Sequence, residues 1–180
     1  CVPLLVEALE WEGDDSICAA CIALMNCCLQ HEPAFAALLE ANGVPALASC
    51  LGSKALAVRE AAAGALPNAS CNKDCAEALR ESIVEVEASA DDAPQPGGAS
   101  KAQVTAFRRL ADMLSSEAPD ELGLRARAAG TLFNCSGFGP DNRIAMLEDG
   151  VITSVVGVLK SAAGSRPEGV MDEHDIWRPR

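Results

Sequence analysis

The chain repeats itself. Val2-Pro3-Leu4-Leu5 is answered 42 residues later by Val44-Pro45-Ala46-Leu47, and Leu24-Met25-Asn26-Cys27-Cys28 returns at the same displacement as Leu66-Pro67-Asn68-Ala69-Ser70. A third copy, Leu132-Phe133-Asn134-Cys135-Ser136, lies 66 residues beyond the second, which is one period plus 24 extra residues. Asp149-Gly150-Val151-Ile152 then matches Asn42-Gly43-Val44-Pro45. Such a period narrows the fold more than any single motif. Each unit is too small to bury its apolar face alone, so neighbouring units must stack into a continuous core.

Each period divides into short, short and long helices. A short helix is expected from about Glu32 to Glu40, ending at Asn42-Gly43, where the glycine takes the left-handed conformation that stops a helix. A second runs from Val44 to about Leu51, with Pro45 tolerated in its first turn. Gly52-Ser53 breaks the chain, and the longest helix spans about Ala55 to Ser70 with Leu56, Ala62, Leu66 and Ala69 facing inward. Pro67 is read as ending regular helix a residue or two early rather than kinking it. Composition agrees: hydrophobic residues make up 49% of the chain but aromatics only 3%, and tyrosine is absent. An interior of Ala, Leu, Val, Ile and Cys suits closely packed helices, so the fold class expected is all-α.

The expected organisation is a repeat domain over 1–161, with units at about 1–41, 42–83, 84–148 and a partial one at 149–161. Residues 87–100, EASADDAPQPGGAS, interrupt the third unit. Their prolines, paired glycines and small polar residues predict a flexible loop, and the rest of the extra length is expected to extend the flanking helices. Residues 162–180 form a tail, either disordered or docked on the last repeat through Trp177, since a solenoid end leaves an apolar face to cover. The chain opens at Cys1 inside an apolar pattern, which reads as a fragment of something longer.

A repeat of about 42 residues built from three helices, with a glycine between the first two, resembles the armadillo family. Residues 41–83 carry the resemblance best through Gly43, Pro45, Leu51, Val58, Ala62, Leu66 and Asn68, and it extends over roughly 2–161. It implies a right-handed superhelical solenoid of about three to four units, with the third helices lining a concave groove. It also implies that Asn26, Asn68 and Asn134 stand where the family uses asparagine to hydrogen-bond the backbone of an extended peptide. A carboxamide suits that task because it offers both donor and acceptor; the competing role is satisfying backbone groups near a helix end. Importin-type members carry a tryptophan four residues before the asparagine, where this chain has Ile22, Gly64 and Gly130. The platform for basic signal peptides is therefore missing. Arg59, Arg125 and Arg127 fall early in third helices and either give the groove basic spots or stand on solvated faces; Arg59 and Arg127 join the three asparagines as the peptide-binding set.

Other chemistry finds little support. A formal net charge of -12 disfavours nucleic acid and anionic membrane as partners. No apolar run approaches the roughly 20 residues needed to cross a bilayer. Nine cysteines, mostly set among alanines and leucines, read as reduced thiols of a cytoplasmic protein, with the nucleus as the second location open to it. The pairs Cys18/Cys21 and Cys71/Cys75 have metal-ligand spacing, yet core positions account for them without zinc. No phosphate loop occurs, His31 reads as a surface residue, and His174 lies in the polar run Asp172-Glu173-His174-Asp175. The expectation is a non-catalytic module without cofactor that binds a protein or peptide. The rivals are an architectural subunit contacting its assembly through the convex face, the insertion or the tail, and a nuclear transport adaptor.

Overall fold

The structure, a computed structural model, describes residues 1–29, 31–87 and 101–164. The expected flexible loop, apart from Glu87, and the expected tail beyond Gly164 lie outside these residues. Ten helices and one hairpin follow in order: α1 (Val2–Glu7), which runs into a 3-10 turn, α2 (Asp14–Cys27), α3 (Glu32–Glu40), α4 (Gly43–Cys50), α5 (Leu56–Ala69), α6 (Lys73–Arg80), β1 (Ile83–Glu87), β2 (Lys101–Thr105), α7 (Ala106–Leu114), a 3-10 turn at Pro119–Glu121, α8 (Leu122–Ser136), α9 (Gly139–Glu148) and α10 (Val151–Gly164).

Local sequence explains the boundaries. Pro3, Pro33 and Pro140 sit in the first turns of α1, α3 and α9, where a missing N–H costs nothing. Asn72 caps α6 by accepting from the backbone N–H groups of Asp74 and Cys75, and Thr105 caps α7 by accepting from that of Arg108. The triplet α3, α4, α5 recurs as α6, α7, α8 and begins again with α9 and α10. The long helices α2, α5 and α8 stack side by side, and α3, α6 and α9 form a second row. Leu24, Leu47, Ala62, Leu66, Leu110, Leu124 and Ala128 are fully buried in one continuous core. Each such leucine contributes about 2 kcal/mol of transfer free energy. The all-α solenoid is the fold observed.

Three expectations are corrected. Asn42, not Gly43, takes the left-handed conformation after α3, with φ 55° and ψ 32°. Gly43 instead starts α4 in close contact with Leu38 and Val6, where a Cβ would lie 2.4 Å from Leu38 Cδ1. At the matching Asp149-Gly150 the glycine does take positive φ, 75°. Pro67 does not end its helix early, because α5 continues to Ala69 around buried Ala65, Leu66 and Ala69. The segments flanking 88–100 do not lengthen helices; they pair as antiparallel strands with Val84 opposite Val104 and Glu87 opposite Lys101. Val84 is buried, Lys101 bridges Glu85 at 2.9 Å, and the Ala106 N–H donates to Ser82 O at 2.9 Å to close the hairpin base. β1 lies directly on Gly52, where a Cβ would fall 1.9 Å from Glu85 O.

Candidate functional site

The last turn of a helix leaves carbonyls without an intrahelical partner. Met25 O near the end of α2 is one, because the Leu29 N–H turns to Asn26 O instead. Asn68, on the adjacent α5, supplies the missing donor from Nδ2 at 2.8 Å. One repeat further the cross-helix bond recurs: the Cys71 N–H goes to Asn68 O, and Asn134 Nδ2 on α8 donates to Pro67 O at 2.9 Å, although this carbonyl also accepts from the Ser70 hydroxyl at 3.1 Å. Each accepting carbonyl belongs to the residue just before the previous asparagine. Asn26, Asn68 and Asn134 thus form a line across the ends of the three long helices.

What each carboxamide leaves free differs. Asn26, first in the line, is exposed and has no partner among the described residues; it borders a hollow of about 470 Å³ with Cys1, Pro3, Leu29 and His31. Asn68 and Asn134 are half-buried, and no described donor meets their Oδ1 atoms, which are not sealed from solvent. Beside Asn134, Phe133 is 78% exposed in the position that Met25 and Pro67 hold in the earlier units.

The two arginines behave differently. Arg127 reaches across α5, its Nη1 donating to Glu60 O. Its guanidinium lies 3.5 Å from the point a Cβ on Gly64 would occupy, and Met25 Sδ lies 3.6 Å from the same point. Gly130 faces the Pro67 ring in the same way at 4.0 Å. The small residues four places before Asn68 and Asn134 therefore admit side chains from neighbouring helices. Arg59 is placed apart from the asparagines, near the start of α5. Its Nη1 donates to the carbonyls of Ser53 and Lys54, and its Nη2 to Glu121 Oε1 at 2.7 Å, leaving its side chain 15% exposed. Arg125 is half-buried, with Nε sealed from solvent and unpartnered.

Sequence reasoning missed several residues of this framework. The Ser116 hydroxyl and the Arg59 guanidinium, in that order, hold the Glu121 carboxyl below the usual carboxylate range. Arg109, its basicity lowered by burial and by the nearby Arg59 charge, donates from Nε to Leu51 O at 3.0 Å. Buried Asn142 joins three helices, accepting from Arg80 at 3.1 Å and donating to Cys135 O at 3.0 Å. The repeated apolar position before each asparagine was the one visible signal, and it marks the carbonyls that matter. The cysteines form no metal cluster: among the described residues no group of three or more His, Cys, Asp or Glu side chains is placed to hold a metal ion. Burial pushes the thiols of Cys28 up to about 11 and of Cys75 and Cys135 up to about 12. No helix among the described residues is long and apolar enough to cross a membrane.

Residues 31–71 match the family model of the armadillo/beta-catenin-like repeat. No curated protein matches the chain. Among solved structures the chain is similar to an engineered protein at 20% identity and a TM-score of 0.71, covering 89% of this chain and 55% of that one. It is similar to a designed armadillo repeat protein at 17% identity and a TM-score of 0.70, with 90% and 58% covered. Another designed armadillo repeat protein, solved in complex with the peptide (KR)4, matches at 18% identity and a TM-score of 0.70, with 88% and 56% covered. The chain thus spans a little over half the length of these structures.

Proposed function

We propose that this chain, an armadillo-repeat protein, is a non-catalytic binding module that holds an extended polypeptide against the inner face of α2, α5 and α8. The observation that carries the reading is the line of asparagines at a constant place in the repeat. Asn68 and Asn134 spend an N–H on the neighbouring helix and keep their Oδ1 atoms free, so they serve a bound chain as acceptors for its backbone N–H groups. Asn26 is free as both donor and acceptor. Arg127 stands on the same surface between α5 and α8, whereas Arg59 is engaged by Glu121 and two loop carbonyls and is left out of the binding set. A similar designed protein holds the peptide (KR)4, and a net charge of -12 favours a basic partner here too. The absence of tryptophan at Ile22, Gly64 and Gly130 speaks against a nuclear transport adaptor. We place the module in a reducing compartment, cytoplasm or nucleus, on the strength of its buried free cysteines.

The test is a pull-down from native extract with wild-type chain, Asn26→Ala and Phe133→Ser. Both side chains are exposed, and neither substitution removes a side-chain hydrogen bond found among the described residues. Loss of specific partners with helicity unchanged supports the inner face as the binding surface. Partners retained by both variants, but lost when 88–100 or 165–180 is replaced, would establish the architectural role instead.

A further inference from the structure

Two of the buried thiols meet. Cys21, midway along α2, and Cys50, the last residue of α4, come together between the first and second units, where the Cys21 thiol donates to the Cys50 sulfur. Cys21 is sealed from solvent, whereas Cys50 keeps 9% of its surface and lines a cavity of about 260 Å³. Ile17, one turn before Cys21, stands on the wall of the same cavity with Leu9, Ser49 and Val58. The cavity thus marks the seam of α2, α4 and the 3-10 turn that packs on both. Of the five buried cysteines, four have their thiols pushed up, Cys21 by the bond it gives and Cys28, Cys75 and Cys135 by burial. Cys50 moves the other way, because the bond it receives from Cys21 favours its thiolate. The thiolate is the reactive form of cysteine, so the one buried thiol bordering the cavity is also the one poised to react.

We propose that Cys21 and Cys50 form a redox site, closing to an intramolecular disulfide under hydrogen peroxide and reopening under a dithiol reductant. Peroxide enters the cavity, and the Cys50 thiolate attacks one of its oxygens. The O–O bond breaks, the departing hydroxide takes a proton from solvent to leave as water, and Cys50 becomes a sulfenic acid. The Cys21 sulfur then attacks the Cys50 sulfur; the S–O bond breaks, and the hydroxide leaves with the Cys21 proton as a second water. Two thiols and one peroxide therefore give one disulfide and two waters, the two electrons lost by sulfur having reduced the peroxide. With Cys21 already in contact, the sulfenic acid is captured before a second peroxide can carry it to sulfinic acid. Thiol–disulfide exchange with the reductant reverses the step. The bond joins α2 of the first unit to α4 of the second, so an oxidant fastens the two units together.

Peptide mapping of the full chain tests this directly. The reduced protein is treated with a few equivalents of hydrogen peroxide and alkylated with iodoacetamide in urea, and the monomer is taken from a non-reducing gel, which sets aside links between copies. Cleavage after glutamate separates 13–40, with Cys18, Cys21, Cys27 and Cys28, from 41–60, with Cys50. The expected product is these two fragments joined, short of two hydrogens, with fragmentation placing the bridge at Cys21 and dithiothreitol releasing it. Cys18→Ala should keep the bridge, and Cys21→Ala should lose it and leave Cys50 to collect sulfinic acid. Recovery of wild-type Cys50 alkylated, carried to sulfinic acid, or bridged to Cys18, Cys27 or Cys28 overturns the proposal. Oxidation should also raise the urea midpoint, since a cross-link restricts the unfolded chain, and dithiothreitol should return it. A midpoint that does not move overturns the claim that the bond fastens the units.

Discussion

The three asparagines are equivalent in sequence but not in bonding, and stability should report the difference. Asn68→Ala deletes the bond to Met25 O and leaves a half-shielded carbonyl at the end of α2. Loss of the bond costs about 1 kcal/mol, and incomplete rehydration of the carbonyl raises this to about 1–2 kcal/mol. The substitution also places alanine in a helix, which returns about 0.5 kcal/mol. Asn26→Ala carries the same helix-propensity gain with no bond to lose, since Asn26 has no partner among the described residues. Comparing the two cancels the propensity contribution, so Asn68→Ala should be less stable than Asn26→Ala by about 1–2 kcal/mol. Asn134→Ala should fall between the two, because its amide also reaches Pro67 O, but that carbonyl keeps the Ser70 hydroxyl as a donor. Urea unfolding followed at 222 nm gives the midpoints, with slopes compared to confirm that the transition is unchanged in kind. Equal midpoints for Asn26→Ala and Asn68→Ala would refute the view that these residues join one repeat to the next.

Other consequences are as specific. Gly52→Ala should cost about 1–3 kcal/mol through overpacking alone, because its backbone is not left-handed and its new methyl meets the Glu85 carbonyl; faster amide exchange in β1 is the readout. Glu121 has its carboxyl lowered by Ser116 and Arg59, so its contribution is present above the unfolded carboxylate value and lost as pH falls through the folded one. Acid titration of stability should therefore be shallower below about pH 4.5 in Glu121→Gln than in wild type, and identical profiles would exclude Glu121 from the link. At pH 8 a disulfide reagent should label exposed Cys1 and Cys71 promptly, while buried Cys28, Cys75 and Cys135 wait for unfolding, as the time course of thiol release will show.

The helices were legible because their signals are local. Prolines at helix starts, Gly52-Ser53 and the Ala/Leu periodicity placed α3, α4 and α5 within a residue or two of their observed ends. The hairpin was missed although Ile83-Val84-Glu85-Val86-Glu87 alternates apolar and charged residues, the period of a half-buried strand. The Pro/Gly-rich stretch beside it drew the reading toward loop and helix. The choice between Asn42 and Gly43 for the left-handed residue turned on packing, since Gly43 must enter α4 to let Leu38 and Val6 close over it. The bonds of Asn68, Asn134, Arg59 and Arg109 join residues far apart in sequence, so no local pattern announces them. Their residue types were visible; their partners depend on how the helices stack.

The hairpin base has a consequence for what this scaffold can carry. Ser82 O and the Ala106 N–H meet at 2.9 Å, and five paired positions follow on each strand before residue 88. The solenoid therefore sees a closed stem, whatever chain joins the two strand ends. Doubling the length of that connection adds only about 0.6 kcal/mol of closure entropy, and none of the extra residues need enter the spacing between α5 and α8. A foreign sequence could be spliced there, or natural variation could accumulate there, with the register of the repeats left intact.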